Sequence, residues 1–185
     1  MVPRASVFVG TSVDGFIARL DHELDFLPAD GGEPHGYDEF MKSVDALIIG
    51  RNTYDKVLGF DPWPYGNKPV IVLTSRPFTP PKAPESVVEP MCGRPNEVLA
   101  QLAGRGWTDV YVDGGITITQ FLGAGLIQRL IITRVPVLIG TGIPLFGAFP
   151  ADIKLDHVAT RSYRSGLVQS EYLIPNKVEN ADSRD

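Results

Sequence analysis

The sequence predicts a three-layer α/β/α domain built on a mixed sheet, and three observations carry that expectation. First, Ala46-Leu47-Ile48-Ile49 and Val70-Ile71-Val72-Leu73 are continuously apolar, the pattern of parallel strands covered on both faces. Second, apolar residues recur at helical spacing between such strands: Tyr37, Phe40, Met41 and Val44 in one segment, Val98, Leu99, Leu102 and Ala103 in another. Third, residues 153–160 and 167–174 are strand-like with Ser165-Gly166 between them, which predicts a C-terminal antiparallel hairpin. Strands alternating with helices and then closing in a hairpin give a mixed sheet with helices on both faces.

The first strand is expected over residues 5–10, where Val7 and Val9 alternate with Ser6 and Phe8. Asp14-Gly15 follows as a turn signal. Residues 19–36 are polar and carry Pro28, Gly31, Gly32 and Pro34; a connection of this length inside a domain is a functional lid or a mobile loop. The apolar strand at 46–49 runs into Gly50-Arg51-Asn52-Thr53-Tyr54, and Tyr54, Val57 and Leu58 open a second helical face. The strand at 69–73 ends in Thr74-Ser75-Arg76, and the proline-rich residues 77–84 are expected as loop. A short strand is expected at 86–89. Pro95 suits the first position of a helix that Gly104 or Gly106 closes. Val110-Tyr111-Val112 is a buried strand, and after Gly114-Gly115 the residues Ile118, Phe121 and Leu122 share one helical face. Residues 130–139 read as a long strand, bulged or at an edge because Pro136 lies inside it, and 140–146 as loop. One domain is expected over residues 1–175, with 176–185 a polar, frayed tail.

With 43% hydrophobic and 21% charged residues, the composition is that of a soluble globular domain. A net charge of -5 argues against general nucleic-acid binding, which needs a basic surface. The single Cys92 excludes an intrachain disulfide framework and fits a cytoplasmic location. His22, His35 and His157 have no metal-ligand spacing, so no metal site is expected. The most apolar run, 130–139, is broken by Arg134 and is too short to span a bilayer.

Residues suited to chemistry gather at strand ends. Gly50, Arg51 and Thr53 follow Ile49; Thr74, Ser75 and Arg76 follow Leu73; Asp113, Gly114 and Gly115 follow Val112. In an open α/β sheet, ligands bind beyond the carboxyl ends of the strands. This set can hold a molecule with separate phosphates, such as NADPH: helix N-termini for the diphosphate, an arginine with hydroxyl donors for the 2′-phosphate. The alternatives are a plain tight turn for the glycines and solvated surface positions for Arg51 and Arg76. Asp113 also has two readings, a cap for the following helix or an acceptor for substrate N–H groups. Trp63 packs a loop against the core rather than stacking on a ligand. No Gly-x-Gly-x-x-Gly fingerprint or Walker A loop follows the first strand, which weakens a standard Rossmann or P-loop reading.

Four stretches resemble one family in its order: Ser12-Val13-Asp14-Gly15-Phe16-Ile17-Ala18, Asp45-Ala46-Leu47-Ile48-Ile49-Gly50-Arg51-Asn52-Thr53-Tyr54, Val112-Asp113-Gly114-Gly115, and Pro136-Val137-Leu138-Ile139-Gly140-Thr141-Gly142-Ile143-Pro144-Leu145-Phe146. They are similar to the dihydrofolate-reductase-like family that includes the reductase domain of the bacterial riboflavin-biosynthesis deaminase-reductase. The resemblance implies an NADPH-dependent reductase of a small heterocyclic substrate, of the 5-amino-6-(5-phosphoribosylamino)uracil reductase type, working as a homodimer. By motif position it implies that Gly50, Arg51 and Thr53 contact cofactor phosphates. Thr74, Ser75 and Arg76 would surround the 2′-phosphate, and Gly114, Gly115, Ile116 and Thr117 would hold the diphosphate and nicotinamide side. Asp113 stands where the riboflavin-pathway reductases carry an acidic substrate contact, and Asp14 on the loop bordering the nicotinamide pocket. The chain lacks the His-x-Glu and Cys-x-x-Cys zinc motif, which excludes deamination. The acid that dihydrofolate reductases carry before the second strand has no clean counterpart, since Asp38 and Glu39 stand at a different spacing. Dihydrofolate reductase-type activity, or a nucleotide-binding protein of the same fold without turnover, is the alternative expectation.

Overall fold

Apolar runs with no polar face fold only where both sheet faces are covered, and that requirement organises this chain. A computed structural model describes residues 1–28, 33–76 and 86–175; the expected loop at 77–84 and the tail at 176–185 lie outside the described residues. In chain order the elements are β1 (Arg4–Ser12), β2 (Phe16–Ala18), α1 (Tyr37–Ser43), β3 (Ala46–Gly50), α2 (Arg51–Val57), β4 (Val70–Leu73), β5 (Val88–Met91), α3 (Pro95–Gly104), β6 (Asp109–Asp113), α4 (Gly115–Gly123), β7 (Ile127–Val135), β8 (Ile143–Pro144), β9 (Asp156–Ser162) and β10 (Val168–Leu173). Eight strands form one sheet in the order β5-β4-β3-β6-β1-β7-β10-β9, and β2 pairs with β8 in a second, two-stranded sheet. Neighbours from β5 to β7 run parallel, whereas β10 is antiparallel to both β7 and β9. This is the mixed sheet with a C-terminal hairpin that the sequence predicts.

The two sheet faces are separated by the strand period of two. Val7, Val9, Ile48, Ile71, Val110 and Val112 pack on one face with Val98, Leu99 and Leu102 of α3 and Ile118, Phe121 and Leu122 of α4. Phe8, Leu47, Ile49, Val70, Val72 and Tyr111 pack on the other with Phe40 of α1 and Tyr54 and Val57 of α2. Each fully buried side chain of this size stabilises the fold by roughly 1.5–3 kcal/mol, so the three layers hold each other in place.

Three boundaries differ from the sequence reading for identifiable reasons. β7 starts at Ile127 and stops at Val135, before Pro136 rather than through it. Pro136 sits in a tight turn in which Val137 N–H donates to the Val135 carbonyl at 2.7 Å, and its polar first residues, Gln128 and Arg129, hid the strand's start. β5 lies two residues later than expected and contains Pro90, tolerated because β5 is a sheet edge. Ile143-Pro144, expected as loop, forms β8 by pairing with β2, a long-range contact no local pattern encodes.

The register also contains a split. β1 and β6 pair only at Arg4↔Asp109, Ala5↔Val110 and Ser6↔Tyr111. Beyond that point β1 continues with β7 as far as Ser12↔Val135, and β6 continues with β3 to Ile49↔Asp113. The two strands therefore part inside the sheet. The Phe8 carbonyl accepts a hydrogen bond from the Tyr111 hydroxyl at 2.7 Å, a side chain standing in for the missing ladder bond.

Tyr111→Phe should destabilise the fold by about 1–3 kcal/mol, the cost of leaving the Phe8 carbonyl without its donor. Urea unfolding of both proteins measures it; an unchanged midpoint would show that the bond does not brace the split.

Candidate active site

A cleft of about 710 Å³ opens where β1 and β6 part, within the usual range for small-molecule pockets. The adjacent parallel strands β3 and β6 end level, at Ile49↔Asp113, and each passes directly into a helix. The cap residues are Gly50 and Gly114; neither start has a side-chain cap or an acid in its first turn. In contrast, α1 carries Asp38 and Glu39 there and α3 carries Glu97. The helix starts at the cleft thus keep open N–H groups and a positive partial charge.

These two helix starts are fitted to each other by glycine. Gly114 has φ 93°, favoured only for glycine, and a β-carbon there would collide with the Thr53 hydroxyl. A β-carbon on Gly50 would lie 2.9 Å from Thr117 Oγ1. Gly115 does a different job: its β-carbon would lie 2.9 Å from the Pro144 carbonyl oxygen and 3.3 Å from Ile17 Cδ1. Its smallness seats α4 on the β2–β8 pair, so Gly115 is required by protein packing as well as by the cleft. Gly50, Arg51, Thr53, Gly114, Gly115, Ile116 and Thr117 all line the cleft. The Arg51 guanidinium is tied by Nε to Asp55 at 2.7 Å.

Asp113 ends β6 at the cleft wall. Its Oδ1 accepts the Gly114 N–H at 2.7 Å, and no side chain caps the first turn of α4, so the helix-capping reading does not hold. Burial is the main cause that raises its pKa to about 6, opposed by the Gly114 N–H and the Tyr65 hydroxyl; the Tyr111 proton is already donated to the Phe8 carbonyl. The carboxyl borders the open cleft yet is surrounded by protein on its other sides. Burial and then the Asp113 charge push Tyr65 and Tyr111 well above the ordinary tyrosine range, and Tyr37 moves up for the same two reasons. Three neutral phenols therefore border one carboxyl group. The sequence reading did not assign these tyrosines to the site. Tyr111, two residues before Asp113 on the same strand face, carried a signal in the period of two; Tyr37 and Tyr65 are brought in by tertiary structure.

Other expected site residues fall elsewhere. Asp14 does not line the cleft. Its carboxylate accepts the Gly140 N–H at 2.8 Å and the Ile139 N–H at 3.3 Å, fastening the turn after β1 to the loop after β7. The Ser12 hydroxyl is the first cause holding its pKa below the usual value, with those backbone N–H groups adding to it against desolvation. Asp14 is a loop fastener, a correction to its expected place at the pocket. Thr74, Ser75 and Arg76 follow Leu73, which lines the cleft and pairs with Gly50, but none of the three is in the cleft wall. The Thr74 hydroxyl is engaged with both the N–H and the carbonyl of Arg76 at 3.0 Å, so it shapes the turn, and Ser75 and Arg76 are exposed.

The long connection after β2 contributes His22, Leu24 and Leu27 to the cleft wall. Glu23 ties it to Lys56 of α2 at 2.7 Å, and Leu27 lies over Gly10. Trp63 packs edge-on against Tyr54 and Tyr65, as expected. Among the described residues no three His, Cys, Asp or Glu side chains could hold a metal, and no helix is long and apolar enough to cross a membrane.

A doubly covered mixed sheet with its cleft at a split between parallel strands defines an α/β protein of the dihydrofolate-reductase-like class. The chain belongs to the RibD C-terminal domain family, whose sequence profile matches residues 3–169. It is 31% identical to the uncharacterized protein YwjB of Bacillus subtilis, over 94% of this chain and 99% of that one. The crystal structure of a putative riboflavin biosynthesis protein from Shewanella sp. PV-4 superimposes with a TM-score of 0.85 at 36% identity, covering 93% of this chain and 99% of that one. A dihydrofolate reductase from Enterococcus faecalis, complexed with NADP(H) and RAB-propyl, shares the fold with a TM-score of 0.63 at 18% identity, covering 92% and 96%.

Because Asp113 binds its proton more tightly folded than unfolded, its contribution to stability falls as pH rises from about 4 to its folded value of about 6. Asp113→Asn should therefore gain on wild type by about 2 kcal/mol between pH 4.5 and about 7.5. Paired urea titrations at both pH values test this; parallel pH profiles would contradict the buried carboxyl.

Proposed function

We propose that the protein is an NADPH-dependent reductase of a small heterocyclic substrate that presents N–H donors to Asp113. The observation that carries the reading is the pair of glycine-capped, acid-free helix starts standing beside a buried carboxyl in one cleft. The fit to a dinucleotide is chemical. The first-turn N–H groups of α2 and α4 can bind anions, and Gly50 and Gly114 let the two helix starts stand side by side by making room for Thr117 and Thr53. Ser75 and Arg76, exposed just beyond β4, are the donors for a 2′-phosphate. The cofactor, when bound, supplies the hydride.

The chain's own residues then orient and shield the substrate. Asp113 accepts paired N–H donors, as a carboxylate does best when ionised. Phe8, Leu24, Leu27 and Phe60 add apolar surface to the cleft wall and exclude water from it. The reading draws support from the reductase fold of the family and from the Shewanella relative, named as a putative riboflavin biosynthesis protein. The working unit in this reading is a cytoplasmic homodimer acting on a small molecule, without nucleic acid or membrane.

NADPH should bind about tenfold to a hundredfold more tightly than NADH, since one charge-assisted contact contributes roughly 1.5–3 kcal/mol. Arg76→Ala should narrow the gap. Fluorescence titration of both cofactors decides; equal affinity in the wild type would rule out the assignment of Arg76.

With a substrate in hand, Asp113→Asn should lower kcat/KM by at least about tenfold, or ~1.4 kcal/mol, with NADPH affinity nearly unchanged. Wild-type kcat/KM should also decline below about pH 6, where Asp113 protonates, and the variant should lack that limb. A loss confined to cofactor affinity would place Asp113 on the cofactor instead.

A further inference from the structure

We infer that a second cavity, beside α1 and apart from the cleft, binds a small zwitterion with an apolar body, of the α-amino acid class. The inference goes beyond the reductase reading and does not depend on it. The cavity measures about 410 Å³, within the usual range for small-molecule sites. Phe8 lines both hollows. Helix α1 divides them: Tyr37 lines the cleft, whereas Glu39, Phe40 and Ser43 line the cavity.

Buried groups hold this cavity open. Its floor is apolar, made by the buried Phe8, Phe40 and Ile131, and the His35 ring stands against Phe8 with centroids 5.5 Å apart. The buried Gln169 side-chain amide donates to the His35 carbonyl at 2.9 Å and to the Thr133 hydroxyl oxygen at 3.0 Å. The Glu33 carboxylate accepts the Ser165 N–H at 3.1 Å and the Ser165 hydroxyl at 3.2 Å. The chain entering α1 is thereby fastened to β10 and to the turn between β9 and β10. A wall fixed in this way needs little ordering when a ligand arrives.

Charge sets the ligand class. Glu39 of α1 and Arg161 of β9 are exposed lining residues, and Arg129 and Glu171 line the same space as an ion pair, Nε to Oε1 at 2.7 Å. Two guanidinium groups and two carboxylates thus share one small hollow. An anion drawn to Arg161 meets two glutamates, and a cation drawn to Glu39 meets two arginines, so neither is favoured alone. A molecule that carries both charges satisfies both sides. Its carboxylate matches the planar fork of Arg161, and its ammonium group matches Glu39. An aromatic body then covers the Phe8, Phe40 and His35 rings.

The test titrates the full chain, at low ionic strength, with L-phenylalanine, phenylpropionate and phenylethylamine, which share a ring and differ in charge. L-phenylalanine should bind at least about fivefold more tightly than either single-charge compound, a modest ratio because the charges involved are exposed. Amide shifts in the ¹⁵N-labelled protein should centre on Gly36, Glu39 and the Gln169 side chain and leave Gly115 still. Arg161→Ala should abolish the advantage over phenylethylamine, and Glu39→Gln the advantage over phenylpropionate; both positions are exposed, so the fold tolerates the changes. Equal binding of the three compounds, no saturable binding of L-phenylalanine, or shifts centred on Gly115 overturns the inference. So does a dimer that Arg161→Ala dissociates while wild type binds no amino acid, which would assign this face to a second copy of the chain.

Discussion

The molecule depends on the point where β1 and β6 stop pairing. A parallel sheet covered by helices on both faces has no natural opening, because every strand is hydrogen-bonded to its neighbours and buried. Here the ladder between β1 and β6 ends at Ser6↔Tyr111, and each strand stays anchored on its other side. The cost of parting is a backbone group without a partner, and the Tyr111 hydroxyl meets it at the Phe8 carbonyl. One phenol thus braces the gap, lines it, and borders Asp113. Structural and functional demands converge on the same side chain.

From that split the placement of charge follows. β3 and β6 stop at the same level, so α2 and α4 begin next to each other with nothing between them but the Gly–Thr contacts. Their glycine caps and acid-free first turns keep the local potential positive, while one residue away Asp113 is held in a poorly solvated environment. A cation-seeking group and two anion-seeking helix starts lie within one cleft, and this polarity separates a place for phosphates from a place for N–H donors. Such opposed groups side by side mark sites of chemistry more often than of packing.

Much of this is legible in the sequence. The strands at 46–49 and 70–73 were readable because burial on both faces leaves unbroken apolar runs, and the strand-Gly-Gly-helix at 110–122 because the period changes from two to 3.6 at the glycines. Gly50, Arg51, Thr53, Gly114 and Gly115 stand at the cleft by the rule that ligands gather at the carboxyl ends of parallel strands, and Ile116 and Thr117 by the family resemblance. What escaped was set by contacts far apart in sequence. β8 exists only through its pairing with β2, and the second requirement on Gly115 comes from Pro144 in that same strand. Asp14 reads locally as a turn residue near the pocket, but the N–H groups it bonds belong to residues 139 and 140. Tyr37 and Tyr65 carry no local mark as neighbours of Asp113. Thr74 looked like a ligand donor because the sequence does not show that its hydroxyl closes its own turn.

The central claim is that the two helix starts at the split form one dinucleotide-binding surface. Amide chemical-shift perturbation in the ¹⁵N-labelled protein on adding NADP⁺ tests it most directly. The account predicts the largest shifts at the N–H groups of Arg51, Asn52 and Thr53 and of Gly115, Ile116 and Thr117, with the β9–β10 hairpin unaffected. Shifts confined to one of the two helix starts, or centred away from the cleft, would contradict it.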